Sequence, residues 1–227
     1  VVPSRWGGGR TPSVTALTQS GWRAGEDAVR SEMKNPSTTW WDMKRKLGSP
    51  WRARCGRSSY TPEDVLVPLL TLLREDAEAF LGTFISSCVL TVPAFFSFAE
   101  RSAMGRTARS AGFSSIRIVN EPTAAALAFG TMGKFLILDY GAGTVDVSVV
   151  ESEGGVWQVL ESAGLPASGG RDFDIFLASS LNEKMQLPRL EDNSPLWRTL
   201  LSEAESLKIA LSSCASCEWT PPAGVSC

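Results

Sequence analysis

The 227-residue chain has no histidine. The side chain most often used as a general base or metal ligand near neutral pH is therefore missing, and any chemistry must rest on carboxylates, lysine, serine or threonine. Cysteine is sparse, five residues at irregular spacing, and an odd count of this kind argues against a disulfide framework. Cys214-Ala-Ser-Cys217 has C-x-x-C spacing, but no second pair accompanies it. Two further zinc ligands could come as thiolates only from Cys55, Cys88 or Cys227, so zinc is not expected. No apolar run approaches the roughly 20 residues of a membrane-spanning helix. The start, Val1-Val2-Pro3-Ser4-Arg5, lacks the apolar region of a signal peptide. The chain therefore reads as soluble and intracellular, with no membrane partner. Net charge is small too, at −2, which leaves no whole-molecule signature of a polyanion or nucleic-acid binder.

The charge that is present is unevenly placed. Residues 1–60 hold 11 of the 22 basic residues and four of the 24 acids, which makes this segment +7 and the remainder −9. A solvated basic face is the preferred reading, the alternative being a surface that meets phosphates or nucleic acid. The same segment shows no sustained period, and Ser13–Thr18 is its only expected strand. Thr61-Pro62-Glu63-Asp64 starts a helix, with Thr61 as N-cap and Pro62 in the first turn. Leu66, Leu69, Leu70, Leu73, Ala77, Phe80 and Leu81 carry its helical spacing to a stop at Gly82. Pro68 inside that pattern predicts a kink or a shortened first turn.

An order then recurs. A strand over Cys88–Val92 precedes a helix capped by Ser97 that runs to Ala111, and a strand over Ser115–Val119 precedes an alanine-rich helix from Glu121-Pro122 to Phe129. Strand–helix–strand–helix of this kind predicts an α/β layer with parallel pairing. The character changes near Thr131-Met132-Gly133. Strands at Phe135–Leu138, Val145–Val150 and Val156–Leu160, joined by tight glycine turns, read as antiparallel hairpins. Helices follow at about Asp172–Gln186 and Leu196–Ser212. The expected division is residues 1–132 and 133–227.

The sharpest chemical signal is Asp139-Tyr-Gly141-Ala142-Gly143-Thr144-Val-Asp146, a glycine-rich turn with an acid on each side. Small residues let backbone N–H groups approach phosphate oxygens. Thr144 can donate its hydroxyl to a terminal phosphate, and Asp139 and Asp146 are hard oxygen ligands suited to Mg²⁺. The competing reading is an ordinary Asp/Gly hairpin turn. Acids on both sides, together with a threonine, weigh against it.

That octapeptide resembles a phosphate hairpin of the actin-like ATPase superfold. Flanking text narrows the resemblance to the DnaK-type chaperones of the heat shock protein 70 family. It is carried by Leu90-Thr-Val-Pro93-Ala-Phe-Phe96, Val119-Asn-Glu121-Pro122-Thr-Ala-Ala-Ala-Leu-Ala-Phe-Gly130, Gly169-Gly170-Arg171-Asp172-Phe173-Asp174 and Glu205-Ser-Leu-Lys208-Ile-Ala-Leu-Ser212. The resemblance implies an α/β, ribonuclease H-like fold with two lobes around a cleft that binds ATP or ADP with Mg²⁺. It implies that Lys44 reaches the γ-phosphate and attacking water, that Glu121 lies near Mg²⁺ and water, and that Glu205, Lys208 and Ser212 face adenosine. Gly170 would allow close approach on the ribose side, and Pro93 with Arg101 would relay nucleotide state. For a full-length parent it implies a cytoplasmic chaperone working with a J-domain co-chaperone, a nucleotide-exchange factor and unfolded polypeptides.

Departures from the family pattern accompany the likeness. Residues 1–227 do not contain the family's first phosphate hairpin or its later adenine-side glycine loop, and Arg52–Ser59 stands where a longer β-subdomain is usual. Ala142 replaces a glycine, an expected strain of about 1 kcal/mol if that position needs φ > 0. Arg171 replaces a glutamate. Weak hydrolysis is the expectation, with a degenerate nucleotide-binding or protein-interaction module as the alternative and a small-molecule kinase of the same superfold as a third reading. The high tryptophan count (eight), with Trp40-Trp41 adjacent, adds an expectation of self-association.

Overall fold

The computed structural model describes residues 1–32, 34–165, 168–188, 190 and 194–221. It is mixed α/β with four sheets among those residues. The chain divides into two compact units, one formed by residues 1–138 and 146–163, the other by 139–145 and 164–227.

In the first unit, β1 (Val14–Thr18) pairs antiparallel with β2 (Gly21–Ala24), α1 spans Glu26–Glu32, and β3 (Thr39–Trp41) lies on the other side of β1. A 3-10 turn over Met43–Lys46 and a small hairpin of β4 (Ala53–Cys55) and β5 (Ser58–Tyr60) follow. The single strand expected before residue 60 is thus joined by four more. Each of these is three or four residues long and too short to show a period; pairing with neighbours holds them.

Helix α2 (Pro62–Leu81) begins as expected. Thr61 and Asp64 form a reciprocal capping box, and Gly82 closes the helix at φ 66°. The shortening expected from Pro68 does not occur, and the helix runs through it. Val65, Leu66, Leu69 and Leu72 are buried against Trp40, Met43, Leu47, Val92 and Met104. That burial is worth about 1.5–3 kcal/mol per large side chain, enough to outweigh one missing helical hydrogen bond.

β6 (Ser87–Val92), α3 (Phe98–Ser110) and β7 (Ser115–Asn120) make the expected parallel unit, with Ser87 opposite Ser115 and Val92 opposite Asn120. Ser97 caps α3 through a second reciprocal box with Glu100. α4 (Glu121–Phe129) starts directly at the end of β7 and stops at Gly130, φ 73°.

β8 (Gly133–Tyr140), β9 (Val145–Glu153) and β10 (Val156–Leu165) form one sheet in the order β10-β9-β8. Connections of four and two residues between hydrogen-bonded neighbours leave no room for a crossover, so both pairs are antiparallel, as expected. Phe135 stacks on Trp157 with ring centroids 6.0 Å apart. In the second unit, α5 (Gly170–Lys184) packs on α6 (Pro195–Leu211) around Ala178, Leu181, Leu200, Leu201 and Ala204.

Candidate functional site

The glycine-rich turn belongs to the second unit, where it is fastened to the start of α5. The Gly141 N–H donates to the Thr144 carbonyl at 2.9 Å and closes the turn. The carbonyls of Gly141 and Ala142 accept from the N–H groups of Gly170 (3.0 Å) and Arg171 (2.8 Å). These are first-turn amides with no partner inside their own helix, so each side satisfies the other. With two loop carbonyls directed at α5, the N–H groups of Ala142 and Gly143 make no hydrogen bond among the described residues. They are the donors a phosphate would need.

The strain expected at Ala142 is absent. Asp42 and Gln186 are the non-glycine residues with positive φ among those described, so alanine sits in the turn without the left-handed penalty. A Cβ on Gly170 would meet nothing nearer than Lys208 Nζ at 3.5 Å, whereas one on Gly169 would lie 2.4 Å from the Ala142 oxygen and 2.6 Å from the Gly143 nitrogen. Gly169 is the residue that lets helix and turn touch. Its own N–H donates to Asp172 Oδ2 at 3.0 Å.

Lys208 extends this assembly. Its ammonium donates to the Gly170 carbonyl at 3.2 Å and pairs with Asp174 Oδ1 at 2.7 Å. The Asp174 side chain is only 3% exposed, so the ion pair compensates a carboxylate on the buried face of α5. Glu205, three residues before Lys208, is exposed on α6. Ser212 donates its hydroxyl to the Lys208 carbonyl at 3.1 Å. Lys208 and Ser212, with Phe173, Phe176, Leu177 and Leu211, line a groove of about 280 Å³ between α5 and α6; Glu205 is not in that wall. The aromatic walls Phe173 and Phe176 were not expected from the sequence, nor was Asp174 as the partner of Lys208.

Asp139 is exposed at the end of β8, its Oδ1 3.9 Å from where a Cβ on Gly141 would sit. Thr144 is half-buried. Asp146, across the turn on β9, belongs to the first unit and is buried. The first unit also brings together Lys44 and Glu121, 77 positions apart. The Lys44 ammonium donates to Glu121 Oε1, and lies 3.4 Å from the Thr91 carbonyl. Glu121 is the first residue of α4, where the helix dipole favours a carboxylate. Nearby, the Arg101 guanidinium gathers the carbonyls of Pro93 (3.4 Å), Ala94 (2.9 Å) and Phe96 (2.9 Å), joining the proline and arginine that the family resemblance pairs. Cys55 and Cys88 are half-buried and Cys214 and Cys217 exposed, all four as free thiols. No helix among the described residues is long and apolar enough to cross a membrane.

Asp139 and Asp146 are both carboxylates, hard oxygen donors of the kind Mg²⁺ accepts beside phosphate oxygens and several waters. Residues 51–222 match the family model described as Hsp70 protein. The proteins named Chaperone protein DnaK of Thermotoga neapolitana, Thermotoga petrophila and Thermotoga maritima are each 40% identical to this chain over 222 residues. Those alignments cover 93% of this chain and 37% of each relative, so the chain spans a little over a third of the length of the curated relatives it matches. A family model over most of the sequence and this identity over nearly all of it agree: the chain belongs to the Hsp70 family.

Proposed function

We propose that the chain is part of the ATP-binding ATPase domain of a DnaK-like molecular chaperone that assists protein folding. One observation carries the reading: the turn 141–144 has its carbonyls committed to α5 while the N–H groups of Ala142 and Gly143 remain available to an anion. In this reading Gly141, Ala142, Gly143 and Thr144 cradle the phosphates of ATP or ADP, and Asp139 and Asp146 hold Mg²⁺. Bound Mg²⁺ would neutralise phosphate charge. The groove beside Lys208 and Ser212 takes the nucleoside, with Gly170 close by and Glu205 at its outer side. Lys44 supplies positive charge to the phosphoryl group in flight, and Glu121 holds Lys44 and orients water.

The family fold belongs to the same proposal: an actin-like ATPase with two lobes around a nucleotide cleft, residues 1–132 contributing to one and 133–227 to the other. The full-length protein would be cytoplasmic and would work with a J-domain co-chaperone, a nucleotide-exchange factor and unfolded polypeptides. A degenerate binding module is less favoured now that Ala142 carries no strain.

Calorimetric titration of the chain with ADP and Mg²⁺ tests the reading. Binding heat is expected, with affinity at least about tenfold weaker in Asp139→Asn, the loss of a charged partner being worth about 1.5–3 kcal/mol. Heat indifferent to both Asp139→Asn and Asp146→Asn would sink it.

A further inference from the structure

Two exposed free thiols, Cys214 and Cys217, follow directly on α6. The segment that carries them is fastened at both ends to that same helix. Upstream, the N–H groups of Ser213 and Cys214 donate to the Ala210 carbonyl at 3.0 and 3.2 Å. Downstream, Trp219 donates its indole N–H to Glu203 Oε2 at 2.6 Å and packs against the cluster that includes Leu200 and Ala204. Glu203 lies two helical turns before Ala210, so the chain must double back between these anchors, and it bends at Ala215. A four-residue reversal brings its first and last Cα atoms within about 7 Å. Disulfides form at Cα separations of about 4.4–6.8 Å.

We infer that Cys214 and Cys217 are a thiol–disulfide pair that a low-molecular-weight disulfide, such as oxidised glutathione, converts to an intramolecular bond. The thiolate of one cysteine attacks the small disulfide and expels one glutathione thiolate. The second cysteine then attacks the mixed disulfide and expels the other. Two protein thiols are oxidised to one disulfide, one small disulfide is reduced to two thiols, and the two protons pass to the leaving thiolates. In a reducing compartment such a bond is transient and signals redox state rather than holding the fold. It closes the turn beside Leu211 and Ser212, which line the α5–α6 groove. The inference does not depend on what that groove binds.

The test uses the whole chain equilibrated in reduced and oxidised glutathione, then cleaved after Glu205 and Glu218. The peptide Ser206–Glu218 contains Cys214 and Cys217 and no other cysteine. It is expected to lose two hydrogen atoms, to an extent independent of protein concentration. Amide exchange at Ser213 and Cys214 should slow, by on the order of tenfold from closing so short a loop. Cys214→Ser should carry one glutathione on Cys217 and show no slowing. Separate glutathione adducts on both cysteines, linkage to another chain or another cysteine, or unchanged exchange in the oxidised form would overturn it.

Discussion

Replacing Gly169 by alanine isolates the contact on which the glycine-rich turn rests. The added Cβ would lie 2.4 Å from the Ala142 oxygen, 2.5 Å from its carbonyl carbon and 2.6 Å from the Gly143 nitrogen. All three are backbone atoms, so no side chain can swing aside; the turn and the start of α5 must separate. Separation breaks two hydrogen bonds, from Gly170 to Gly141 and from Arg171 to Ala142. At about 1 kcal/mol each, the loss is about 2 kcal/mol, or roughly 30-fold in an equilibrium that needs the turn in place. Gly170→Ala is the control. Its Cβ would meet the movable Lys208 ammonium at 3.5 Å, an ordinary contact, and should cost under about 0.5 kcal/mol. The assay is calorimetric affinity for ADP with Mg²⁺ in both variants, beside urea unfolding of each. Gly169→Ala should weaken binding by roughly 30-fold while Gly170→Ala stays within about twofold. Equal behaviour of the two variants would refute the reasoning.

Three further outcomes follow from other parts of the structure. Lys208→Ala leaves Asp174 buried without its counter-ion; since Lys208 is itself one-third exposed, the cost is set below that of a fully buried pair, at about 2 kcal/mol in urea unfolding. An unchanged midpoint would show that the pair is immaterial. Thr61→Ala removes the acceptor for the Asp64 N–H in the α2 capping box and should lower stability by about 1 kcal/mol, whereas Thr61→Ser should retain most of it. Burial pushes the Cys88 thiol up from its ordinary pKa, so at a given pH it holds less of the reactive thiolate than it would exposed. Iodoacetamide at mildly alkaline pH should therefore label exposed Cys214 and Cys217 before Cys88, and Cys88 reacting first, read by peptide mass, would contradict the assignment.

Local signals carried most of the helices. Thr61, Ser97, Gly82 and Gly130 act on their own turn of chain, so their roles survive without knowledge of anything distant. The strands from Gly21 to Tyr60 were illegible for the opposite reason: Gly-Trp-Arg-Ala or Ser-Ser-Tyr becomes a strand only when a partner supplies the other half of the ladder. The same divide runs through the site. Lys44, Glu121 and the turn 139–146 are marked by residue type and family likeness, but nothing in Gly169-Gly170 says which glycine is indispensable.

The helix α5 shows how a period can mislead. Phe173 and Phe176, three apart, have the spacing of a core stripe, yet they are 53% and 73% exposed. The stripe that is buried runs Asp174, Ala178, Leu181 and Met185, with a carboxylate in first place. Apolar content alone would put the phenylalanines inside and the aspartate outside, because it is blind to the ammonium of Lys208 on the facing helix. Once that cation is set 2.7 Å from Asp174, rotation of α5 is fixed by the ion pair and by the two hydrogen bonds from its first turn to the glycine-rich turn. The phenylalanines are then left lining the groove. The residue that compensates a buried charge thus also decides which side chains face the groove, and Lys208→Ala should alter the groove as well as the stability.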